Sequence, residues 1–215
     1  FEYMAQLTDS VPVLSCNGIA KRYLVPGWRL GWVVAYDKQG IFEAGGVLRG
    51  IKQLGTAYLV YPGAVHTRFD HLIGALHVTG TMIDSVNKNA ELDPSGCLAI
   101  GDGEARIIRL AALIHDITHI PFGHSIEDQD GIFPRHDSDY RFRRALGPTS
   151  ELGQVLDGLG VREEVLSCLL PEGAEGRRDL PAYWTQVFAG TVASDILDYL
   201  ARDAYFTGLR FSVDS

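Results

Sequence analysis

Thiols are scarce and scattered in this chain. Cys16, Cys97 and Cys168 are the only cysteines in 215 residues, and no two form a Cys-x-x-Cys pair. That rules out a thiolate zinc motif, offers no disulfide frame, and reads as free thiols in a reducing compartment. No run of about 18 apolar residues is present, and the first residues lack a basic-then-apolar signal. The expectation is a cytoplasmic protein without a membrane partner. Positive charge is also short: 19 Lys and Arg stand against 27 Asp and Glu, a formal net charge of −8. Such a balance argues against a general nucleic-acid or anionic-membrane surface. Internal repeats and low-complexity tracts are missing too. The chain opens on Phe1 rather than methionine and closes on GLRFSVDS, so both ends read as cut.

What is present describes an ordinary globular chain, 46% hydrophobic and 21% charged, long enough for one good-sized domain or a domain plus an appendage. Residues 1–42 differ in texture from the rest. SVPVLS (10–15) reads as a buried strand and PGWRLGWVVAY (26–36) as a turn feeding a second. From about residue 47 the pattern becomes helical. Val47, Leu48, Ile51 and Leu54 form a stripe ended by Gly55, followed by an extended YLVYPG stretch with a Pro-Gly turn. Thr67 is the expected N-cap of a helix over 68–87. A polar loop is expected at 88–103 and a helix at 104–119. An irregular region at 120–149 precedes helices at 150–159 and 161–170. A loop at 172–180 then leads into a last helix from about 182 to 206.

The chemistry concentrates in RLAALIHDITHIPFGH (109–124). Leu110, Leu113, Ile114 and Ile117 make the buried stripe of a core helix, and His115 and Asp116 sit side by side within it. Burying such a pair is costly unless something pairs with both, and a divalent metal does so with imidazole and carboxylate ligands. Neighbouring residues on a helix diverge by about 100°, so a shared ion must sit at the edge between them. His71 and Asp195 lie on other predicted helices among apolar neighbours. Together the four offer two imidazoles and two carboxylates, a set suited to Mn²⁺, Fe²⁺, Co²⁺, Ni²⁺, Zn²⁺ or Mg²⁺ with positions left for water or a phosphate oxygen.

Flanking residues suit phosphate chemistry. His119, one turn past His115, is expected on the same side and free to pass a proton to a leaving oxygen. His124, beyond the Pro-Phe-Gly turn, offers the same chemistry or a supporting hydrogen bond. Arg68 is a candidate fork for a phosphate, or a structural partner of Asp70. Tyr199 and Asp203 follow Asp195 at four-residue steps, so one stripe of the last helix is polar. Asp198 and Arg202 read as a plain i,i+4 salt bridge. His66 and His77 are expected at the surface or in supporting positions, and Phe69, Tyr205 and Phe206 mostly in the core.

Three ordered segments carry a resemblance. YPGAVHTRFDHLIGALH (61–77), LIHDITHIPFGH (113–124) and SDILDYLARDAYFTG (194–208) resemble the HD superfamily of metal-dependent phosphohydrolases, and within it the deoxynucleoside-triphosphate triphosphohydrolases. The resemblance implies an all-α HD-domain helical bundle over residues 45–215. It implies a divalent metal on His71, His115, Asp116 and Asp195, with His66 excluded. It further implies a catalytic His119, sugar and phosphate contacts from Tyr199 and Asp203, a nucleotide as partner, and a homo-oligomer. Two departures stand out. Ile196 occupies a position where those enzymes usually carry Lys or Arg for the triphosphate. His136–Asp137 stands where the family often shows His-Glu.

Residues 1–44 form a separate segment. SCNGIAKRYLVPGWRLGW resembles the cofactor-lysine segment of the tyrosine aminotransferase group of pyridoxal-phosphate enzymes. That resemblance implies a Schiff base on Lys21 and a phosphate grip by Arg29, with Ser15 nearby. About forty residues do not make the fold that positions such a cofactor. The expected function is therefore hydrolysis of a nucleotide phosphate ester or anhydride. A silent nucleotide-binding regulatory module is the alternative, and aminotransferase chemistry through Lys21 the third reading.

Overall fold

Thr67 starts the longest helix by a reciprocal cap. Its side-chain oxygen accepts from the Asp70 backbone N–H, and Asp70 Oδ2 accepts in turn from the Thr67 N–H at 2.8 Å. Helix α1 then runs over Arg68–Leu92, burying His71, Leu72, Ala75, Thr79 and Ile83 along one stripe. The computed structural model describes residues 13–18, 31–36, 46–127 and 134–210, with side chains described for 48–124, 127 and 134–210.

Helix α2, Asp102–Ile114, buries Ile108 and every residue from Leu110 to Ile114. Unbroken burial marks a helix enclosed by others, and α2 packs on α1, on α6 (Arg162–Leu169) and on α7 (Ala182–Ala189). Helices α3 (His124–Glu127), α4 (Asp139–Ala145) and α5 (Glu151–Gly158) complete the middle of the chain. Helix α8, Ser194–Thr207, lies against α1 and α7. The Thr79 and Ser194 hydroxyls, 2.6 Å apart and buried, tie the start of α8 to α1.

The chain divides into two compact units, Phe1–Ala44 and Gly45–Ser215. In the first, strands β1 (Val13–Gly18) and β2 (Gly31–Tyr36) pair antiparallel with Val13 opposite Tyr36 and Gly18 opposite Gly31. β2 falls within the expected 26–36, while β1 shares residues 13–15 with the expected 10–15 and runs on to Gly18; residues 10–12 lie outside the described residues. Lys21 and Arg29 lie outside the described residues, and for Ser15 only the backbone is described. The second unit is helical, as expected for an all-α HD bundle.

Five local expectations are corrected. The stretch 47–54 forms only a short 3-10 turn, Gly46–Arg49, and the expected extended stretch after it holds another, Ala57–Leu59. Helix α1 runs past 87 to Leu92. The helix expected to reach residue 119 stops at Ile114, where Ile117 and His119 turn to i−3 carbonyls. Thr118 explains the stop: its hydroxyl bonds the His136 carbonyl, and its own carbonyl accepts from Arg141 Nη1 at 2.8 Å. The last expected helix is broken between Ala189 and Ser194. Gly190 is extended there (φ −90°, ψ −172°), a Cβ on it would sit 2.5 Å from the Gln186 carbonyl, and two β-branched residues follow. That break places Asp195 in the first turn of a new helix.

Candidate metal centre

Helices α1, α2 and α8 each deliver one part of a buried cluster. His71 comes from the first turn of α1, His115 and Asp116 from the turn just past α2, and Asp195 from the first turn of α8. The Nδ1 atoms of both imidazoles are committed. His71 Nδ1 donates to Asp198 Oδ2 at 2.8 Å, and His115 Nδ1 donates to the Ala112 carbonyl at 2.7 Å. In the neutral rings this leaves the lone pairs on Nε2.

Those lone pairs face carboxylates. His71 Nε2 lies 2.9 Å from Asp195 Oδ1 and 3.9 Å from Asp116 Oδ2. His115 Nε2 lies 3.4 Å from Asp195 Oδ1 and 3.7 Å from Asp116 Oδ1. Both Nε2 atoms are shielded from solvent, and neither has the alignment of a hydrogen bond. In the neutral rings these are acceptors aimed at acceptors, which a divalent ion between them would satisfy and which a proton on His71 satisfies otherwise. Burial alone would push the His71 imidazole down, but Asp195, Asp198 and Asp116 outweigh it and raise it to about 9. His115 is raised for the same reason. Burial opposes the charges of Asp116 and Asp195, yet the surrounding imidazoles hold both carboxyls well below their ordinary range, with Arg68 adding to the effect at Asp116. The donor set, two imidazole nitrogens and two ionised carboxylates, fits a divalent ion.

A second histidine cluster adjoins the first. The rings of His119 and His136 stack at 3.6 Å between centroids, and His124 stands edge-on to both at 5.3 and 5.1 Å. Buried Glu127 accepts from His136 Nδ1 at 2.7 Å. Asp116 bridges the two groups: its Oδ1 is 3.5 Å from His119 Nε2, while its Oδ2 accepts from the buried Arg68 Nη1 at 2.7 Å. Burial pushes the His119 imidazole down to about 2, aided by the charges of Arg68, His136 and His124, so it enters the site neutral. Phe122 and Gly123 turn the chain into this cluster with φ of 70° and 46°. A Cβ on Gly123 would approach Arg68 Nη2 to 3.0 Å in a left-handed conformation, so glycine is the residue that fits.

Two clefts reach these clusters. The larger, about 490 Å³, has His115, Asp116, Asp195 and His136 among its lining, with Phe142 and Phe188 on its apolar side. The other, about 400 Å³, is lined by Gln53, Leu54, Thr56, Arg68, Phe122 and His124.

Residues 68–157 match the HD domain family. The helical unit contains an HD domain. YwfO of Bacillus subtilis, an uncharacterised protein, is 35% identical over 167 residues, covering 76% of this chain and 34% of its own. The deoxynucleoside triphosphate triphosphohydrolase SAMHD1 homologue of Dictyostelium discoideum is 33% identical over 173 residues, covering 75% of this chain and 31% of its own. A solved phosphohydrolase structure from Bacteroides thetaiotaomicron superposes with a TM-score of 0.62 at 28% identity, covering 80% of this chain and 39% of that one. The chain thus spans about a third of the length of these curated relatives. Separately, a tyrosine aminotransferase of Dictyostelium discoideum is 54% identical over 59 residues, 27% of this chain but 14% of its own. So small a share omits the scaffold that would position a cofactor.

Within the helical unit the four expected ligands come together, and so do Arg68, His119 and His124. His115 and His119 do not share one side, however. The helix ends between them, so they fall in separate clusters with Asp116 in the middle. Tyr199 stands edge-on to His71 at 6.5 Å between rings. Asp203 is engaged elsewhere, its Oδ1 2.7 Å from His66 Nε2. His66 is not a surface residue: it is 2% exposed and stacks on Phe206 at 4.6 Å. His77 is exposed, as expected.

Two roles escaped the sequence. Asp198 does form a bidentate pair with Arg202, at 2.9 and 2.7 Å, but it also orients His71. Its place one turn after Asp195 was the available signal. Glu127, one turn after His124, was passed over. His136 joins the cluster while Asp137 remains at the rim beside Arg135, at 3.2 Å.

Proposed function

We propose that this HD domain hydrolyses a nucleotide phosphate ester or anhydride with a divalent ion on His71, His115, Asp116 and Asp195, and that a deoxynucleoside triphosphate is its substrate. The observation that carries the reading is the pair of buried, unpartnered Nε2 atoms aimed at two carboxylates. A divalent ion bound there supplies the Lewis acidity that activates water and polarises a phosphoryl oxygen. The chain's own residues do the rest. Arg68 reaches the cluster from the smaller cleft and offsets phosphate charge. His119 begins neutral; an arriving polyanion raises its basicity so that it takes up a proton from solvent, which it then hands to the leaving oxygen. His124 and His136 hold its ring in place. Tyr199, edge-on to His71, offers a hydroxyl contact to a sugar, whereas Asp203 is already bound by His66.

The names of the SAMHD1 homologue and of the solved phosphohydrolase support this reading. Ile196 favours a second one, a module that binds a nucleotide without turning it over. A screen of the Mn²⁺-loaded protein against deoxynucleotides, ribonucleotides and monophosphates distinguishes them. Tripolyphosphate released from a deoxynucleoside triphosphate is the expected product. Nucleotide binding without any product, in a protein whose elemental analysis shows a filled site, overturns the enzymatic reading.

Metal uptake should expel protons. With His71 raised to about 9, the metal-free site is protonated near neutrality and must lose that proton to bind a cation. Affinity for Mn²⁺ therefore climbs as pH rises toward about 9 and levels off above it. Calorimetry near neutrality, in buffers of different ionisation heat, should show net proton release on binding. A heat independent of buffer contradicts the assignment.

A further inference from the structure

The larger cleft holds a cation that the chemistry above leaves unused. Arg177 lines it, on the segment between α6 and α7, together with His115, Asp116 and Asp195. Its Nε donates to the Ser167 carbonyl at 3.1 Å, which fixes the plane of the guanidinium. Its Nη atoms meet no acceptor among the described residues. A guanidinium held in plane with its outer nitrogens free is a fork for a phosphate.

The other charged groups nearby are committed or repel an anion. Asp137 pairs with Arg135, Glu172 is exposed at the rim, and Arg202 of α8 is bound by both oxygens of Asp198. Ile196, directly after Asp195, brings no charge and lines neither cleft. A polyphosphate lying across the cluster would therefore find its cation on the loop and not on α8. A cleft of about 490 Å³ is within the range that admits a small anionic ligand.

We propose that Arg177 binds the terminal phosphate of the nucleotide polyphosphate, supplying from the loop the charge that Ile196 cannot supply from α8. The inference rests on the phosphohydrolase reading above, and two measurements keep the two apart. The first is calorimetric binding of inorganic tripolyphosphate to Mn²⁺-loaded protein. Arg177→Ala should weaken it about tenfold to a hundredfold, and Arg177→Lys should recover part of the loss. Metal content and melting temperature should not move. Arg177→Gln, which keeps a donor for the Ser167 carbonyl, serves if the alanine variant does not fold.

The second measurement is steady-state turnover. Arg177→Ala should raise KM for a deoxynucleoside triphosphate by a similar factor while leaving kcat, and turnover of p-nitrophenyl phosphate, within about twofold. Unchanged tripolyphosphate affinity overturns the role of Arg177 whatever the enzyme does. A wild-type protein that hydrolyses nothing, yet binds tripolyphosphate through Arg177, overturns the hydrolase reading and keeps the anion site. Equal losses on the triphosphate and the monoester, or a lowered melting temperature in all variants, mark a structural arginine and sink the proposal.

Discussion

Asp195→Ala and His115→Ala proteins should emerge from purification without their divalent ion and without phosphate release. Each variant removes one of four donors and leaves the others buried around an incomplete site. Loss of a partner that merely orients a ligand lowers metal affinity by about ten- to a hundredfold, so loss of the ligand itself should exceed a hundredfold. Hydrolysis should fall at least in proportion. Asp195 lies in the first turn of α8 and is partly solvent-exposed, so its removal should leave the fold intact. Elemental analysis and a phosphate-release assay on the same preparation check both statements. Variants that keep full metal content and rate would refute the four-residue site.

Gly74→Ala should be nearly as damaging, although Gly74 is not one of the four candidate ligands. A Cβ there would stand 1.7 Å from Asp198 Oδ1 and 2.2 Å from Arg202 Nη2. Neither side chain is free to step aside, because Asp198 is held by both Arg202 and His71. Alanine must either push α8 off α1 or break a mostly buried ion pair. The expected cost is about 2–5 kcal/mol of stability. Misplacing Asp198 also frees His71 to rotate, which should lower metal affinity about ten- to a hundredfold. Urea unfolding and a metal titration measure the two effects. Gly80→Ala is the control on the same helix: its nearest neighbour, Arg109, is 3.8 Å away. That variant should be neutral or stabilised by up to about 1 kcal/mol. A Gly74→Ala protein as stable as the control would show that the Asp198–Arg202 pair yields without cost.

The parts of this protein that were legible in its residues are those encoded over short range or as fixed residue types. Thr67 and Asp70 announce the start of α1 because a cap is a local exchange of hydrogen bonds. The apolar runs VLS (13–15) and GWVVAY marked parts of the two paired strands. His71, the His115–Asp116 pair and Asp195 stood out because polar residues in apolar helical stripes need partners. What the residues could not reveal is where long-range contacts override local preference. The helical pattern of 104–119 runs on past Ile114, where the helix ends and Thr118 instead bonds His136 and Arg141. That stop splits His115 from His119 into two clusters and leaves Asp116 to join them. The i,i+4 pair of Asp198 and Arg202 is equally local, yet the role of Asp198 comes from His71, 127 residues away in sequence. The sequence by itself determined the candidate donors, their order along the chain and the chemistry they suit. Tertiary structure alone decided which nitrogen of each imidazole faces the carboxylates, because each tautomer is set by what its other nitrogen meets.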